Sequence, residues 1–150
     1  MKKQYRLVSS FEMDAFAAIV SHLRCCATHA YLIRPHSPAS PNAQLIRDAL
    51  DLHPAETDVR KWPGTELLWE TASRLEFSPA SEILDLIGRE FSSFSQLAWP
   101  HFFEDLHVTL DGELLFYSIS HEIDFIMPDN QSNADFLRST SKWWECEVII

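Results

Sequence analysis

The chain has 150 residues, 46% hydrophobic and 12% aromatic, which is typical of one packed domain and argues against disorder. Its formal charge is −10, of which −8 falls within residues 101–150, and so acidic a surface repels nucleic acid and anionic lipid. Its three glycines are far apart, which excludes a P-loop and the glycine-rich dinucleotide fingerprint, and no apolar run approaches the ~20 residues of a membrane span.

The first part of the chain has the order strand, helix, strand. We predict a strand over residues 5–10 and a helix over 12–28, whose apolar residues recur on one stripe. A buried strand over 30–33 follows, and three prolines in residues 35–41 then predict a loop. Asn42 can cap a short helix that ends near Leu52. Nothing in the pattern fixes whether the two strands are parallel.

The middle of the chain predicts one edge strand and two helices. The strand covers residues 58–62 and is closed by Pro63-Gly64. Thr65 can cap a helix that carries Leu68, Ala72 and Leu75. Ser78-Pro79 begins the next helix, with proline in its first turn. The apolar stripe of that second helix contains Ile83, Ile87, Phe91, Phe94 and Ala98.

The clearest local signal is a hairpin in which Asp111-Gly112 joins strands over 107–110 and 113–116. Residues 117–127 then alternate, as one long strand or as two strands joined by a turn at His121-Glu122. Asn133 can cap a short helix, and residues 145–150 alternate like a final strand. We therefore predict a single α+β domain over residues 1–150, with a mixed sheet whose C-terminal hairpin is antiparallel and packs against helices.

Two histidines and a cysteine on the first helix have spacings that suit a metal. His22, Cys25 and His29 lie within about 60° of one another on a helical wheel, opposite the apolar stripe. No paired-cysteine or HExxH motif accompanies them, so polar residues on a helix surface are the alternative. Our prediction is no bound metal and no cofactor.

Ser120-His121-Glu122 contains the residue types of a hydrolase triad, but consecutive strand residues point to opposite faces, so the three cannot act as a local triad. We expect His121 to be a hydrogen-bonded core residue. The same alternation places Ser118, Ser120, Glu122 and Asp124 on one face. Glu122 and Asp124 would then lie roughly 7 Å apart, on a polar sheet surface that a partner could contact.

Several short motifs resemble a family of small, largely uncharacterised bacterial proteins. They are Trp62-Pro63-Gly64-Thr65, Asp105-Leu106, Asp111-Gly112 and Ile119-Ser120-His121-Glu122, all within residues 58–127. The resemblance implies a bacterial cytoplasmic source. It also implies that Gly64-Thr65 forms a turn and cap and that Asp111-Gly112 forms a hairpin. The resemblance does not point to an enzymatic activity and assigns no functional residues.

These observations favour a binding protein over an enzyme. Small size, no catalytic motif and concentrated acidity lead us to expect an immunity or antitoxin-like inhibitor that occludes a basic toxin, such as a nuclease. The expected partner contacts are Glu113, Glu122, Asp124 and Trp143. One alternative is a small enzyme that uses the hairpin carboxylates or a metal site on the first helix. The other is a structural or regulatory subunit that forms a homodimer.

Three cysteines and the start of the chain indicate the compartment. Cys25 and Cys26 are adjacent and Cys146 is the third, so a disulfide framework is not expected. Glu12 and Asp14 interrupt the stretch that follows the basic N-terminal residues, so we do not expect a signal peptide. The sequence therefore predicts a cytoplasmic protein.

Overall fold

The computed structural model describes residues 3–35, 54–97, 103–140 and 146–149. The strands are β1 (Gln4–Arg6), β2 (His29–Arg34), β3 (Ala55–Val59), β4 (Lys61–Trp62), β5 (Thr65–Glu66), β6 (Ala72–Phe77), β7 (Glu104–Leu110), β8 (Glu113–Ile119), β9 (Asp124–Pro128) and β10 (Glu147–Ile149). The helices are α1 (Ser9–Cys26), α2 (Ser81–Glu90) and α3 (Gln131–Ser139), and 3₁₀ turns cover Phe94–Leu97 and Ser120–Glu122.

Eight strands form one sheet in the order β10-β1-β9-β8-β7-β2-β6-β3, and β4 and β5 form a separate small hairpin. Helices and sheet together confirm the predicted α+β class. The sheet was expected to be mixed, and every pairing recorded between its described strands is antiparallel. The β4–β5 hairpin therefore stands apart from the sheet and is available to cover one of its faces.

The main core lies between one face of the sheet and the helices. Ile19 and Leu23 of α1, Ile83 of α2 and Leu137 of α3 all belong to one buried cluster with sheet residues such as Phe116. The predicted apolar stripe of the first helix is thus the face that α1 buries. We call the sheet face that carries these helices the helical face and the opposite one the open face.

Helix α1 connects two strands that do not pair with each other. Because each neighbouring pair is antiparallel, β1 and β2 run in the same direction, with β9, β8 and β7 between them. The strand-helix-strand order predicted from the sequence is therefore a crossover that spans three strands. This long step lets α1 cover the middle of the sheet.

The predicted helix from Thr65 is wrong. Thr65 lies in β5, the following residues form a loop, and β6 begins at Ala72. β6 lies between β2 and β3, so its backbone groups pair on both sides. Leu68, Ala72 and Leu75 have helical spacing, but Leu68 is exposed while the other two are buried.

The Asp111-Gly112 hairpin is confirmed, with φ of 49° and 86° at its two turn residues. Residues 117–127 form two strands rather than one, because a 3₁₀ turn over Ser120–Glu122 separates β8 from β9. Ile123 follows that turn with φ of 57°. This left-handed residue resets the alternation, so the polar face expected from Ser118 to Asp124 does not form.

Three further predictions concern the last helix, the helix over residues 42–52 and membrane spans. The last helix is capped by Asn130, whose side chain accepts a hydrogen bond from the backbone of Asn133, rather than by Asn133 itself. The predicted helix between Asn42 and Leu52 lies outside the described residues. Among the described helices, none combines the length and the apolar character needed to cross a bilayer.

Candidate functional site

The buried carboxylate of Asp105 connects three separate segments of the chain. Asp105 lies near the start of β7, where the pairing with β2 is shifted by a bulge, and its φ is 38°. Aspartate is one of the few residues other than glycine that adopts such a conformation readily. Only 1% of the residue is exposed, so its charge depends on hydrogen bonds inside the protein.

Both carboxylate oxygens of Asp105 accept hydrogen bonds. Oδ2 accepts from the indole Nε1 of Trp62 at 2.7 Å and from the hydroxyl of Thr65 at 3.3 Å, both in the β4–β5 hairpin. Oδ1 accepts from the backbone N–H of Ser120 at 2.7 Å, and the backbone N–H of Asp105 donates to the hydroxyl of Ser120 at 3.2 Å. The carboxylate therefore ties the hairpin and the 3₁₀ turn to β7.

The turn of the β4–β5 hairpin also packs against the open face. Gly64 has φ of 83°, and a Cβ atom there would lie 2.5 Å from Cδ1 of Ile119 and 3.3 Å from the ring of Tyr117. Glycine is therefore required both by the backbone conformation and by the close approach. The turn implied for Gly64-Thr65 is present, but the helix cap implied for Thr65 is wrong, since Thr65 is a strand residue.

These contacts bring together several of the short motifs noted in the sequence. Trp62, Gly64, Thr65, Asp105 and Ser120 are separated by up to 58 positions in the chain, yet they form one connected cluster. Sequence reasoning identified the motifs but did not place them together. The pairing of a buried acid with an indole N–H is visible only once the fold is known.

A pocket of about 270 Å³ opens beside this cluster. Its polar lining includes Asp105, Glu104, Glu70 and His121, and its apolar lining includes Ile33. Burial raises the pKa of Glu104, the neighbouring Asp105 raises it further, and His121 lowers it. Because the oxygens of Asp105 are already hydrogen-bonded, Glu104 and Glu70 are the acids of the lining that remain to meet a ligand.

Large apolar side chains project from the segments that surround the pocket. Leu67 and Glu70 line the pocket, and the same loop exposes Leu68 and Trp69, which are 75% and 91% accessible. Ile123, next to the turn that carries His121, is 56% accessible. Exposed tryptophan beside acidic groups is typical of a protein-binding surface.

The structure separates the residues predicted to contact a partner. Glu122 is exposed in the 3₁₀ turn, where its carboxylate lies 3.7 Å from His121. Asp124 begins β9 and pairs with Arg6 at 3.2 Å. Glu113 lies at the other end of β8, about 20 Å along the strand, beside a different concavity. Trp143 lies outside the described residues.

The expectation that His121 is a core residue is wrong. Its side chain is 53% exposed and faces Glu122, because the 3₁₀ turn carries it away from the sheet. Ser118 and Ser120, expected on a polar face, are buried instead, and the hydroxyl of Ser118 accepts a hydrogen bond from the backbone of Leu106 at 2.9 Å. In the motif Ser120-His121-Glu122, Ser120 is therefore buried, whereas the side chains of His121 and Glu122 are exposed.

The structure does not bring His22, Cys25 and His29, the metal-ligand candidates weighed from the sequence, together on one helix face. His29 lies in β2 rather than on α1, and Cys25 is exposed. The imidazole of His22 contacts Asn133 at 3.1 Å instead. Within the described ranges, no group of three histidine, cysteine or acidic residues is arranged to hold a metal ion.

A row of stacked side chains crosses the open face next to the site. The rings of Tyr31 and His107 stack at 4.6 Å, and the guanidinium of Arg74 lies 5.1 Å from the ring of Tyr31 on the neighbouring strand. Burial, assisted by the charge of Arg74, lowers the pKa of His107 to about 4. The imidazole is therefore neutral at physiological pH.

Comparisons of the chain with protein-family models, with curated proteins and with solved structures found no match.

Proposed function

We propose that this protein binds and neutralises a basic protein, as an immunity or antitoxin-like inhibitor does, through the surface around the Asp105 pocket. The observation that carries the proposal is Trp69, which is 91% exposed on a loop that also lines an acidic pocket. A tryptophan so exposed gains most from burial against a partner, and hot-spot residues at interfaces are enriched in tryptophan.

The charges around the pocket favour a basic partner. Glu70 and Glu122 are exposed beside the pocket, and Glu104 lies half-buried inside it, whereas Glu66 is paired with Lys61 at 3.2 Å. Carboxylates near an apolar anchor attract lysine and arginine side chains and speed association at low salt. The pocket volume is just below the usual range for small-ligand sites, so the pocket can hold one inserted side chain or a ligand of about that size.

A toxin that acts on nucleic acid is the best candidate partner by charge. Such a protein needs a cationic surface to bind phosphates, and an acidic inhibitor can cover that surface. The net charge of −10 gives the inhibitor long-range attraction to such a partner. Among the partner contacts expected from the sequence, the surface around the pocket contains Glu122 but does not contain Glu113.

The test is co-expression with the product of the adjacent gene. The expected result is that this product is toxic alone, is tolerated with the wild-type chain and copurifies with it. Trp69→Ala should weaken binding by about 30-fold or more, the usual effect of a hot-spot truncation. Met13→Ala is the matched control, since Met13 is 61% exposed but lies on α1, which packs on the helical face.

Two results would contradict the proposal. An adjacent product that is harmless alone and does not copurify removes the proposed partner. Equal binding by the Trp69→Ala and Met13→Ala variants shows that any interaction uses another surface. Light scattering on the same samples tests the homodimer alternative, which a strict monomer rules out.

The pocket itself favours a second candidate, an enzyme or receptor for a small cationic ligand. Its basis is Glu104, whose pKa burial raises and which lines the pocket with His121. Perturbed acids in pockets are common at ligand sites. A panel of small amines and guanidines tests it by thermal shift: a saturable rise in Tm that Glu104→Gln abolishes supports this candidate. No rise with any of them counts against it.

A further inference from the structure

A second polar cluster joins the end of α1 to the start of α3, on the helical face and away from the Asp105 pocket. The thiol of Cys26 lies 3.8 Å from Nδ1 of His22, one turn earlier on α1. The other ring nitrogen, Nε2, lies 3.1 Å from Oδ1 of Asn133 on α3. The hydroxyl of Ser132 lies 3.5 Å from the same sulfur. Cysteine, histidine and asparagine are thus connected in series.

The hydrogen bonds of Asn133 determine which nitrogen of His22 carries the proton. Asn133 is fully buried, and its Nδ2 donates to the carbonyls of Leu115 and Pro128 at 2.8 and 2.9 Å. Its Oδ1 must therefore accept, so Nε2 of His22 is the protonated nitrogen. The lone pair of Nδ1 is then directed at the thiol of Cys26.

Stacking keeps the imidazole of His22 in place, and burial keeps it neutral. The ring of Phe136 stacks on that of His22, with centroids 4.3 Å apart and planes within 9°. Burial lowers the pKa of His22, so at neutral pH its Nδ1 is free to accept a proton. Cys26 itself is partly accessible, whereas its neighbour Cys25 is exposed and has no such histidine among its described contacts.

We propose that Cys26 is a nucleophilic thiol that exchanges with low-molecular-weight disulfides, with His22 as its proton acceptor and Asn133 as a positioning residue. The S–H proton moves to Nδ1 of His22 as the sulfur attacks one sulfur of the disulfide. A new S–S bond forms to Cys26, the original S–S bond breaks, and the departing thiolate takes the proton back. The net change is one mixed disulfide and one released thiol, so no further oxidant is needed.

Disulfide exchange fits this cluster better than acyl transfer does. Acyl transfer develops an oxyanion that needs fixed hydrogen-bond donors beside the nucleophile. The polar groups recorded next to the sulfur in the described residues are the His22 base and one rotatable donor, the Ser132 hydroxyl, and not a set of fixed donors. Exchange between sulfurs needs only the thiolate and a proton acceptor. The inference is independent of the proposed inhibitor function, since it concerns the other face of the sheet.

The experiment compares two variants that each keep one cysteine of the adjacent pair. Cys25→Ser with Cys146→Ser leaves Cys26, and Cys26→Ser with Cys146→Ser leaves Cys25. Oxidised glutathione is the probe, and mass spectrometry follows the mixed disulfide between pH 6 and 9. Cys26 should react at least about tenfold faster than Cys25 at pH 7, although it is less exposed. Its rate should fall little below pH 8, whereas a free thiol with a pKa near 8.5 loses about tenfold per pH unit.

Replacement of His22 distinguishes activation of the Cys26 thiol by this histidine from easier access of the disulfide to Cys26. In the variant that keeps Cys26, His22→Gln should bring the pH dependence back to that of an ordinary thiol. His29→Gln is the matched histidine control and should leave the rate unchanged. Circular dichroism confirms that each variant is folded. Cys26 reacting no faster than Cys25, or with the pH dependence of a free thiol, overturns the proposal.

Discussion

At the scale of single residues, Asp105 has the greatest structural influence in the candidate site. It is 1% exposed, and its two oxygens accept from an indole, a hydroxyl and a backbone N–H. A buried charge with one missing partner costs more than a neutral hydrogen bond does, because its solvation is lost as well. The position of the β4–β5 hairpin, and with it the pocket, therefore depends on this carboxylate.

Asp105→Asn should destabilise the protein by about 1–3 kcal/mol. Asparagine tolerates the positive φ of 38°, so the backbone is not the cause. The loss arises because one acceptor oxygen becomes an NH₂ group that faces donors from the hairpin or the 3₁₀ turn. Urea unfolding followed by tryptophan fluorescence measures the change.

Asp111→Asn is the control, since Asp111 also has a positive φ, of 49°, but is exposed at the hairpin tip. Asn-Gly is as suitable for that turn as Asp-Gly, so its stability should stay within about 0.5 kcal/mol of wild type. A loss of similar size in both variants would show that backbone conformation, and not the hydrogen bonds of Asp105, explains the effect.

The sequence identifies several residues of this site but does not reveal their arrangement. Trp62, Gly64 and Ser120 belong to short motifs that are visible in the sequence, but the sequence says nothing about the distances between them. Asp105 carried no local signal of burial, since it follows Glu104 in an acidic stretch. His121 was misplaced because alternation was extended across a 3₁₀ turn that leaves no trace in the hydrophobic pattern. The pairing of β7 with β8 brings Asp105 close to Ser120, and the hydrogen bond from Trp62 to Asp105 brings the β4–β5 hairpin to both.

At the scale of elements, the β4–β5 hairpin is fitted to the open face through its turn. A Cβ on Gly64 would lie 2.5 and 2.6 Å from two carbons of Ile119. Those carbons belong to a buried side chain, which packs in a cluster with Tyr117 and Ile126. Ile119 therefore cannot give way without disturbing its own packing.

Gly64→Ala should cost about 2–4 kcal/mol, as the sum of strain at positive φ and overpacking against Ile119. The hairpin should also shift, which would expose the indole of Trp62. Thermal unfolding gives the stability, and the emission maximum of tryptophan fluorescence should move to longer wavelength.

Gly112→Ala separates the two causes, because Gly112 has φ of 86° but no atom within 4 Å of the added Cβ. It should cost only about 1 kcal/mol, from backbone strain alone. Equal losses at Gly64 and Gly112 would mean that the hairpin moves freely and that the contact with Ile119 has little influence.

The elements differ in how well the sequence predicts them. α1 and the Asp111-Gly112 turn were predicted because local chemistry determines them: a continuous apolar stripe and a dipeptide suited to positive φ. β6 was predicted as a helix because its neighbouring residues match a helical spacing by chance, whereas its place between β2 and β3 is decided by long-range pairing. Strand order is a property of the whole chain, and no local pattern encodes it.

At the scale of the whole molecule, buried titratable groups make stability depend on pH in two opposite ways. His107 lies in the row on the open face, and burial with the charge of Arg74 lowers its pKa to about 4. Its folded pKa is thus below the unfolded value near 6.5, so the unfolded chain binds more protons between pH 6.5 and 4. Stability from this residue is full at neutral pH and falls as the pH falls through that window.

His107→Phe should remove that dependence while it keeps a ring stacked on Tyr31. Relative to the variant, the wild-type protein should lose about 3 kcal/mol of unfolding free energy between pH 6.5 and pH 4. Urea titrations at half-unit pH intervals give both curves, and their difference cancels the groups that the two proteins share. Parallel curves would show that His107 is not kept neutral by the fold.

Glu12 on α1 makes stability depend on pH in the opposite direction. Its side chain is buried at 1% exposure against the 3₁₀ turn, where it accepts hydrogen bonds from the backbone N–H of Phe94 and the hydroxyl of Ser93. Burial raises the pKa of Glu12 despite those two hydrogen bonds, which lower it. The folded state then binds the extra proton, so this contribution to stability is present below about pH 4.5 and is lost as the pH rises through the folded pKa.

Glu12→Gln keeps an acceptor for Phe94 but cannot ionise. As the pH rises from 4 to 7, the unfolding free energy of the variant should therefore increase relative to that of the wild type. The same urea titrations measure this difference. Glu12→Leu removes the acceptor altogether and should destabilise at every pH, because the buried N–H of Phe94 is left unpaired. If the unfolding free energy of Glu12→Gln instead falls relative to that of the wild type as the pH rises, the ionised carboxylate stabilises the junction between α1 and the 3₁₀ turn. The hydrogen bonds of Glu12 would then outweigh the cost of burying its charge.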